Sequence, residues 1–211
     1  MKALIVSGGM APSKEILLKE LKTSEIVICA DSGANHLFKY NIIPNVLIGD
    51  FDSISAEVLE TFRNEGCIIE TFPPEKDFTD TEIAIDYAIR KGYTIITLLG
   101  ATGSRLDHVY GNIALLKKYA EKDYKIKILD DNNEIMYSRE NLILYGESGN
   151  LFSLYAYGSQ VEGLNVKGAK YELENYTLPI ESSLGTSNEF IENEVKVTFK
   201  KGGLLIMQSR D

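Results

Sequence analysis

The sequence contains no tryptophan, only two cysteines and two histidines, and five prolines among its 211 residues. Cys29 and Cys67 lie in β-type runs without CxxC spacing, which predicts reduced and buried thiols rather than a redox motif or a zinc site. No segment has the pattern of a haem or flavin site, and no Ser/His/Asp or Cys/His arrangement for nucleophilic catalysis is present. These absences argue against several common classes of enzyme and metalloprotein.

Long hydrophobic runs and basic blocks are also missing. No segment approaches the roughly 18 consecutive apolar residues of a membrane-spanning helix. The apolar run from Met1 to Ser7 is too short for a signal peptide and ends in Gly8-Gly9, so we expect a cytoplasmic protein without a membrane partner. The formal net charge of -9 would repel a nucleic acid, and we expect no such partner. Small phosphorylated ligands stay possible, because a bridging cation reverses the local charge.

Short apolar runs alternate with helical patterns from Lys2 to about Asp130. The apolar runs are Ala3 to Val6, Ile26 to Ala30, Val46 to Ile48, Cys67 to Ile69, Ile95 to Leu99 and Ile126 to Leu129. Between them, apolar residues three and four positions apart predict helices at Ser13 to Leu21, Gly33 to Tyr40, Ala56 to Asn64, Asp80 to Arg90 and Asp107 to Tyr119. This alternation predicts an α/β fold with a mostly parallel sheet and helices on both faces.

The pattern changes after about Ser138. Glycine, asparagine and serine clusters separate short β-type segments at Leu142 to Tyr145, Leu151 to Ala156, Tyr171 to Leu173, Val195 to Phe199 and Leu204 to Met207. Such spacing is typical of a small all-β sandwich or barrel. We therefore predict an α/β domain over residues 1–138 and a β-rich domain over residues 139–211.

Aspartates are concentrated in three short clusters, each of which follows an apolar run or opens a helical pattern. The clusters are Gly49-Asp50-Phe51-Asp52-Ser53, Lys76-Asp77-Phe78-Thr79-Asp80 and Ser104-Arg105-Leu106-Asp107-His108. Strand-to-helix junctions of an open parallel sheet meet at one edge, so these carboxylates would crowd together. Two carboxylates about 5 Å apart repel by roughly 3 kcal/mol at an effective dielectric of about 20, and a bound cation removes that repulsion. Oxygen ligands favour Mg²⁺ or Mn²⁺.

Two of these clusters also have a purely structural interpretation. Asp50 and Asp52 could belong to an acidic surface turn. Thr79-Asp80-Thr81-Glu82 has the form of a capping box, in which Asp80 would stabilise the helix dipole by roughly 0.3 to 1 kcal/mol without a catalytic role. We favour a shared metal site because acidic residues recur at successive junctions. Asp31, which ends another apolar run, could contact a ribose hydroxyl or the same metal network.

The loop from Leu99 to His108 is a candidate phosphate-binding segment. Its glycines free backbone N–H groups to form an anion-binding nest, and Arg105 can donate two hydrogen bonds to phosphate oxygens. The loop is not a Walker A motif, because no Gly-Lys-Ser/Thr follows. Ser104 and Asp107 could form only a helix cap, and His108 could either hydrogen-bond the loop or contact a phosphate.

Five blocks in succession resemble thiamine pyrophosphokinases. They are Ala30-Asp31-Ser32-Gly33-Ala34-Asn35, Gly49-Asp50-Phe51-Asp52-Ser53, Lys76-Asp77-Phe78-Thr79-Asp80, Ser104-Arg105-Leu106-Asp107-His108 and Gly185-Thr186-Ser187-Asn188. The resemblance implies a nucleotide-binding α/β domain and a β domain that binds thiamine and mediates dimerisation. It also implies a homodimer, with thiamine bound where the first domain of one subunit faces the second domain of its partner. The implied reaction transfers pyrophosphate from ATP to thiamine with Mg²⁺ as cofactor.

The same resemblance implies roles for individual residues. Magnesium binding and catalysis are implied for Asp50, Asp52 and Asp80, with Asp107 as a further metal ligand. Nucleotide binding is implied for Asp31, Lys76, Asp77, Arg105, Asp107, His108 and Asn112. Thiamine binding is implied for Tyr171, Ser187 and Asn188. Some members of the family stack a tryptophan on thiamine, and Tyr171 occupies the similar place here, where it offers a smaller π face to the cationic ligand.

Two other functions are compatible with parts of the pattern. Asp50-Phe51-Asp52 after a strand has the DxD form of the nucleophilic motif of haloacid-dehalogenase-like phosphatases, although the later lysine and paired-acid motifs of that family are not evident. A non-catalytic thiamine or nucleotide sensor would keep the pocket without turnover. An aspartyl-phosphate adduct would identify the phosphatase, and binding without turnover would identify the sensor.

Overall fold

The computed structural model describes residues 1–73 and 77–210. It divides into two compact units, Met1–Asp131 and Asn132–Asp211. This division lies seven residues before the predicted boundary at 138, because residues 133–138 form a strand that pairs within the second unit. Lys76, one of the predicted nucleotide-binding residues, lies outside the described residues.

The first unit alternates strands and helices along the chain, as the sequence predicts. Its strands are β1 Lys2–Val6, β2 Ile26–Ala30, β3 Val46–Gly49, β4 Ile68–Thr71, β5 Ile95–Leu99 and β6 Lys125–Leu129. Its helices are α1 Lys14–Leu21, α2 Gly33–Phe38, α3 Ala56–Asn64, α4 Asp80–Arg90 and α5 Leu106–Ala120. The strands lie in the order β6-β5-β1-β2-β3-β4, and all five pairings are parallel.

Helices cover both faces of this sheet. Leu4 and Val6, two positions apart on β1, pack in one apolar cluster with side chains of helices α1, α2 and α3, among them the fully buried Phe62. Side chains alternate between faces along a strand, so Ala3 and Ile5, which are also buried, point the other way. Helix α4 packs against β1, β2 and β3 with its own buried set of residues. The prediction of a mostly parallel sheet with helices on both faces is therefore confirmed.

The topology places a crevice at the carboxyl end of β1. The chain moves from β1 outwards through β2, β3 and β4, and it then returns to the other side of β1 to form β5 and β6. Open α/β sheets bind ligands at such a reversal of strand order, because the loops that follow the two central strands diverge there. Here those loops follow β1 and β5.

The second unit is all β within the described residues 132–210. Its strands are β7 Asn133–Ser138, β8 Leu142–Tyr145, β9 Leu151–Ala156, β10 Val161–Lys167, β11 Leu173–Leu178, β12 Asn188–Glu189, β13 Glu194–Thr198 and β14 Leu204–Ser209. They form the sheets β12-β9-β14-β7 and β11-β10-β13-β8, with antiparallel pairs throughout. Buried side chains of both sheets, such as Phe152 and Leu164, share one core. This is a β-sandwich, as predicted.

None of the helices in the described ranges combines the length and the apolar composition that crossing a bilayer requires.

Candidate functional site

A cleft of about 740 Å³ lies at the carboxyl ends of the central strands of the first unit. The loops after β1, β2, β3 and β5 line it, together with the first turns of α4 and α5. The lining residues include Ser7, Gly8, Gly9, Met10, Asp31, Ser32, Ser53, Thr79, Asp80, Thr81, Gly100, Ala101, Thr102, Gly103, Ser104, Arg105, His108 and Asn112. The cleft therefore occupies the position that the strand order predicts for a ligand site.

Backbone hydrogen bonds join the two loops that form the floor of this cleft. The N–H of Gly9 donates to the Gly100 carbonyl at 2.7 Å, and that of Met10 donates to the Thr102 carbonyl at 2.6 Å. Gly100 has a φ of 64°, and a Cβ atom there would lie 2.1 Å from the carbonyl oxygen of Ser7. Glycine is required at this position because only a residue without a side chain permits this conformation and this close approach.

Three carboxylates converge beside the cleft. Asp31, Asp50 and Asp52 each offer an oxygen atom, and these atoms lie within 4.8 Å of one another. Asp31 directly follows β2 with a φ of 43°, and its N–H donates to the Ile48 carbonyl of β3 at 2.7 Å. Phe51, between the other two acids, has a φ of 66°. Two left-handed residues at adjacent strand ends thus turn acids of different loops towards one point, and we name this set the carboxylate group.

The arrangement is electrostatically unfavourable for the charged side chain of Asp31. Burial raises the pKa of its carboxyl group above the ordinary value, and the nearby negative charges of Asp80 and Asp50 raise it further. Its Oδ1 atom is buried and has no hydrogen-bond partner in the described part of the chain. A buried, unpartnered carboxylate oxygen is unfavourable unless a cation satisfies it. An all-oxygen donor set of this kind suits Mg²⁺ or Mn²⁺.

Asp80 faces the same region from another element. It is the first residue of α4, lines the cleft, and contributes to the raised pKa of Asp31. The Thr79 hydroxyl caps the helix by accepting from the N–H of Glu82, as the capping-box pattern predicts. The structure therefore contains the predicted cap, which fixes the start of the helix that carries Asp80. Asp80 is not a member of the carboxylate group, and its role as a metal ligand stays a prediction.

We expect an Asp31→Asn variant to be more thermostable than the parent when metal is absent. A raised pKa means that the protonated acid stabilises the fold below the ordinary aspartate pKa, and that this contribution is lost as pH rises through the raised value. At neutral pH the metal-free parent therefore carries an unfavourable charge that asparagine removes. Thermal unfolding in EDTA and in Mg²⁺, from pH 4 to pH 8, measures both effects.

The same experiment has two internal checks. Mg²⁺ should raise the melting temperature of the parent more than that of Asp31→Asn, because ligand binding stabilises only the state that binds it. The stability difference between the two proteins in EDTA should shrink towards low pH, where Asp31 is protonated. A metal-free variant that is no more stable than the parent at pH 8 would contradict a charged, unpartnered Asp31.

The structure does not bring Asp107 into the carboxylate group. Its carboxylate accepts from Arg105 at 2.6 Å and 3.3 Å, and both side chains are largely exposed. The hydrogen bond from Arg105 is the main reason that the pKa of Asp107 falls to about 2. His108 Nε2 lies 4.0 Å from the same carboxylate. Arg105 and His108 line the cleft, so Arg105 can contact a phosphate there after it exchanges the carboxylate for phosphate oxygens.

The remaining predicted residues of the first unit differ in their surroundings. Asn112 is buried on α5, lines the cleft, and donates from Nδ2 to the Ala101 carbonyl at 2.8 Å, so it holds the loop after β5. Asp77 is exposed, and it belongs neither to the carboxylate group nor to the residues that line the cleft.

Some polar contacts around the cleft were not predicted from the sequence. The hydroxyls of Ser7 and Thr81 are 2.9 Å apart in a buried contact that joins the end of β1 to the first turn of α4. The Thr102 hydroxyl donates to the buried carboxylate of Asp130 at 2.9 Å. Asp130 directly follows the apolar run of β6, so its position at a strand end was the signal that could have identified it.

A smaller pocket of about 260 Å³ lies in the second unit. It is lined by Leu154, Leu164, Val166, Tyr171, Leu173, Leu178, Leu184, Gly185, Thr186 and Asn188. Two of the three residues that the resemblance assigns to thiamine, Tyr171 and Asn188, are therefore together at this pocket. The third, Ser187, is exposed with a φ of 54° and is not among the lining residues. Its N–H donates to the Ser153 hydroxyl at 3.0 Å.

Both units match known protein families. The family model of the thiamin pyrophosphokinase catalytic domain matches residues 17–128. The family model of the thiamin pyrophosphokinase vitamin B1 binding domain matches residues 134–204. A thiamine pyrophosphokinase of Bacillus subtilis is 34% identical over 209 residues, which is 98% of each chain. Thiamine pyrophosphokinase 1 of rice, Oryza sativa, is 28% identical over 197 residues, which cover 81% of this chain and 74% of that protein.

Solved structures give the same result. The crystal structure of the Bacillus subtilis thiamine pyrophosphokinase has a TM-score of 0.90 at 30% identity, with 100% of both chains covered. A thiamin pyrophosphokinase family protein from Enterococcus faecalis has a TM-score of 0.87 at 29% identity, again with complete coverage of both chains.

Proposed function

Because this chain belongs to the thiamine pyrophosphokinase family, we propose that it is an enzyme that transfers pyrophosphate from ATP to the primary hydroxyl of thiamine. The products are thiamine diphosphate and AMP. The observation that carries the proposal is the carboxylate group, with its buried and unpartnered Asp31 oxygen, in a chain whose two units match the two domains of the family.

The acids would hold Mg²⁺, with Asp31, Asp50 and Asp52 as ligands and Asp80 close by. Bound Mg²⁺ would neutralise the negative charge of the polyphosphate and of the transition state. The protein itself contributes positioning, because the two loops that are joined through Gly9 and Gly100 fix the floor of the cleft. We include Lys76, Asp77, His108 and Asn112 in the nucleotide site from the family likeness.

Arg105 and the acids would have different roles in the reaction. Arg105 is positively charged and can donate two parallel hydrogen bonds to phosphate oxygens as the bond to AMP breaks. A carboxylate must accept or orient the proton of the thiamine hydroxyl as this oxygen attacks the β-phosphorus. We propose Asp80 or Asp52 for this role, because Asp80 lines the cleft and Asp52 belongs to the carboxylate group beside it.

The second unit would bind thiamine through Tyr171, Ser187 and Asn188. Tyr171 offers an aromatic face to the cationic ligand, and the apolar pocket beside it excludes water.

A homodimer with a site shared between subunits belongs to the same proposal and rests on the family likeness alone. Sedimentation equilibrium gives its mass directly. A cytoplasmic location is also proposed, and the two cysteines are free and buried, as a reducing compartment allows.

Chromatography of a reaction with thiamine, ATP and Mg²⁺ tests the proposed activity. We expect thiamine diphosphate and AMP in equal amounts, and no product in EDTA. Release of ADP with thiamine monophosphate would contradict pyrophosphate transfer, because the attack would then occur at the γ-phosphorus. Phosphate release through an aspartyl-phosphate adduct would support the phosphatase alternative. Thiamine binding without turnover at saturating Mg²⁺ would support the sensor.

A further inference from the structure

The Asn188 side chain binds the backbone of Tyr171 at both of its polar groups. Asn188 Oδ1 accepts from the Tyr171 N–H at 3.0 Å, and Nδ2 donates to the Tyr171 carbonyl at 2.8 Å. Oδ1 also accepts from the N–H of Glu189 at 2.8 Å. Asn188 is 8% exposed, so these bonds are largely shielded from water. We name the two bonds between Asn188 and Tyr171 the Asn188 clamp.

These bonds use most of the hydrogen-bonding capacity of the amide. A side-chain amide has two donor hydrogens and two acceptor lone pairs, and the clamp and Glu189 use three of these four. At most one hydrogen of Nδ2 remains for a ligand. The resemblance alone assigns Asn188 to thiamine binding. In the structure its amide hydrogen-bonds the backbone N–H and carbonyl of Tyr171, as a neighbouring β-strand would.

The clamp fixes the backbone of a residue whose aromatic ring is exposed. Tyr171 is 62% exposed and lines the mouth of the apolar pocket, although a ring of this size is favourably buried. The chain around it is fixed by few other bonds. Ala169 forms an isolated antiparallel β-bridge with Phe190, and the N–H of Lys170 donates to the Glu189 carbonyl at 3.0 Å. The clamp extends this pairing between the two segments to Tyr171.

The ring is also presented to a positive charge. Lys170 Nζ lies 5.9 Å from the centre of the Tyr171 ring and forms an ion pair with Glu189 at 2.6 Å. The face of a tyrosine ring attracts cations at such a distance. The Glu189 carboxylate neutralises the charge of Lys170, so this lysine would repel a cationic ligand on the Tyr171 ring less strongly.

From this geometry we infer that Asn188 is a positioning residue that acts on thiamine through Tyr171, by fixing the backbone from which the ring projects. The inference deepens the proposed function and rests on it. It differs from a direct contact between Asn188 and thiamine in one measurable respect. If Asn188 acts through the ring, its replacement has no effect on thiamine affinity once the ring is absent.

The absence of tryptophan from the chain permits a direct assay. A Tyr171→Trp variant carries a single tryptophan at the site, and its fluorescence reports thiamine binding without turnover. In this background Asn188→Asp keeps the shape and the acceptors of the side chain but loses the Nδ2 donor. We expect a weakening of thiamine binding by about 3- to 10-fold, which is the range for loss of one hydrogen bond. The KM for ATP should be unchanged.

A double-mutant cycle on the KM for thiamine separates the two interpretations. Asn188→Asp should weaken thiamine use in the parent, but it should change it by less than about 2-fold when added to Tyr171→Ala, because residues that act as one unit are not additive. An equal effect in both backgrounds would overturn the inference and indicate direct contact. Asn165→Asp is the matched control.

Asn165 suits this purpose because its amide also clamps backbone in the second unit. It donates to the Gly163 carbonyl at 2.9 Å and accepts from the N–H of Asn175 at 2.9 Å, and it is not among the residues that line the pocket. Asn165→Asp should lower stability without altering thiamine affinity. A similar loss of affinity in this variant would mean that general destabilisation of the unit, rather than the clamp, controls binding, and it would overturn the inference.

Amide hydrogen exchange tests the clamp independently of thiamine. The Tyr171 amide should exchange at least about 3-fold faster in Asn188→Ala than in the parent, because alanine removes the Oδ1 atom that accepts from the Tyr171 N–H. Unchanged exchange would overturn the clamp even if the enzyme is active. If the parent neither binds thiamine nor forms thiamine diphosphate, the proposed function fails and this inference fails with it, whereas accelerated exchange would still identify the backbone contact.

Discussion

Replacement of Asp50 or Asp52 by asparagine is expected to lower kcat for thiamine diphosphate formation by at least about 100-fold. Metal-assisted charge stabilisation is worth several kcal/mol, and each 1.36 kcal/mol changes a rate about tenfold. Asparagine keeps the shape of the side chain but removes one negative charge from the carboxylate group. The Mg²⁺ concentration for half-maximal activity should rise as well. AMP release, coupled to an enzymatic assay and followed against Mg²⁺ concentration, measures both effects.

Three further variants make this test specific. Asp123→Asn changes an exposed aspartate in a turn with a φ of 64°, which asparagine tolerates, and it should retain activity within about twofold. Asp80→Asn should be impaired like Asp50→Asn. Asp107→Asn should depend on Mg²⁺ as the parent does, because Asp107 pairs with Arg105 outside the carboxylate group. Activity of Asp50→Asn within a few fold of the parent would reject its role as a metal ligand.

Substitution of Gly100 by alanine is expected to destabilise the first unit by roughly 3 kcal/mol or more. The left-handed backbone at Gly100 costs a residue with a side chain about 1 kcal/mol, and forced contacts in packed regions typically cost another 1 to 3 kcal/mol. Here the added Cβ atom would lie 2.1 Å from the Ser7 carbonyl oxygen, a backbone atom that cannot move without breaking the pairing of the two cleft loops. Urea unfolding measures the loss.

Gly66→Ala is the matched control for this prediction. Gly66 also has a positive φ, of 86°, but nothing lies within 4 Å of a Cβ atom built on it. Its replacement should therefore lower the free energy of unfolding only by the cost of the left-handed backbone, about 1 kcal/mol, and should leave activity intact. Equal destabilisation by the two substitutions would show that contact with Ser7 contributes nothing and that the loops can separate at no cost.

The first unit could be predicted almost completely from the sequence. Each predicted strand and helix of this unit occurs within a few residues of its expected bounds, since most of these elements bury apolar side chains at a regular spacing. Strand β4 is an exception, because all four of its residues are exposed or half-buried. Val46 to Ile48, for example, is buried at every position because helices cover the sheet on both sides. A continuous apolar run of this length is typical of a central parallel strand.

The second unit was predicted less completely. Strand β10, Val161–Lys167, was missed because its pairing with β11 shifts register twice, and such bulges interrupt the alternation of buried and exposed residues. The predicted strand at Tyr171 to Leu173 was misplaced, because β11 begins only at Leu173. Tyr171 itself lies outside the strands, where its aromatic character reflects its place at the pocket rather than β-structure.

For the candidate site, the sequence identified the acidic junctions but not their grouping. Asp31, Asp50 and Asp52 converge because β2 and β3 are adjacent and because the loops after them contain residues with left-handed backbone, Asp31 and Phe51. Asp107 was predicted beside them, yet Arg105, two residues away, is close enough to pair with it. The roles of individual residues in catalysis and binding stay predictions.

The sequence by itself determined the fold class, the acidic strand ends and the family, because hydrophobic periodicity and short ordered motifs are local properties of the chain. Tertiary structure alone decided which acids share one point, and that Asn188 binds the backbone of Tyr171 across 17 positions. The physical reason is that carboxylates and amides act over a few ångströms, and distances on that scale between remote residues are fixed only by how strands are ordered and packed.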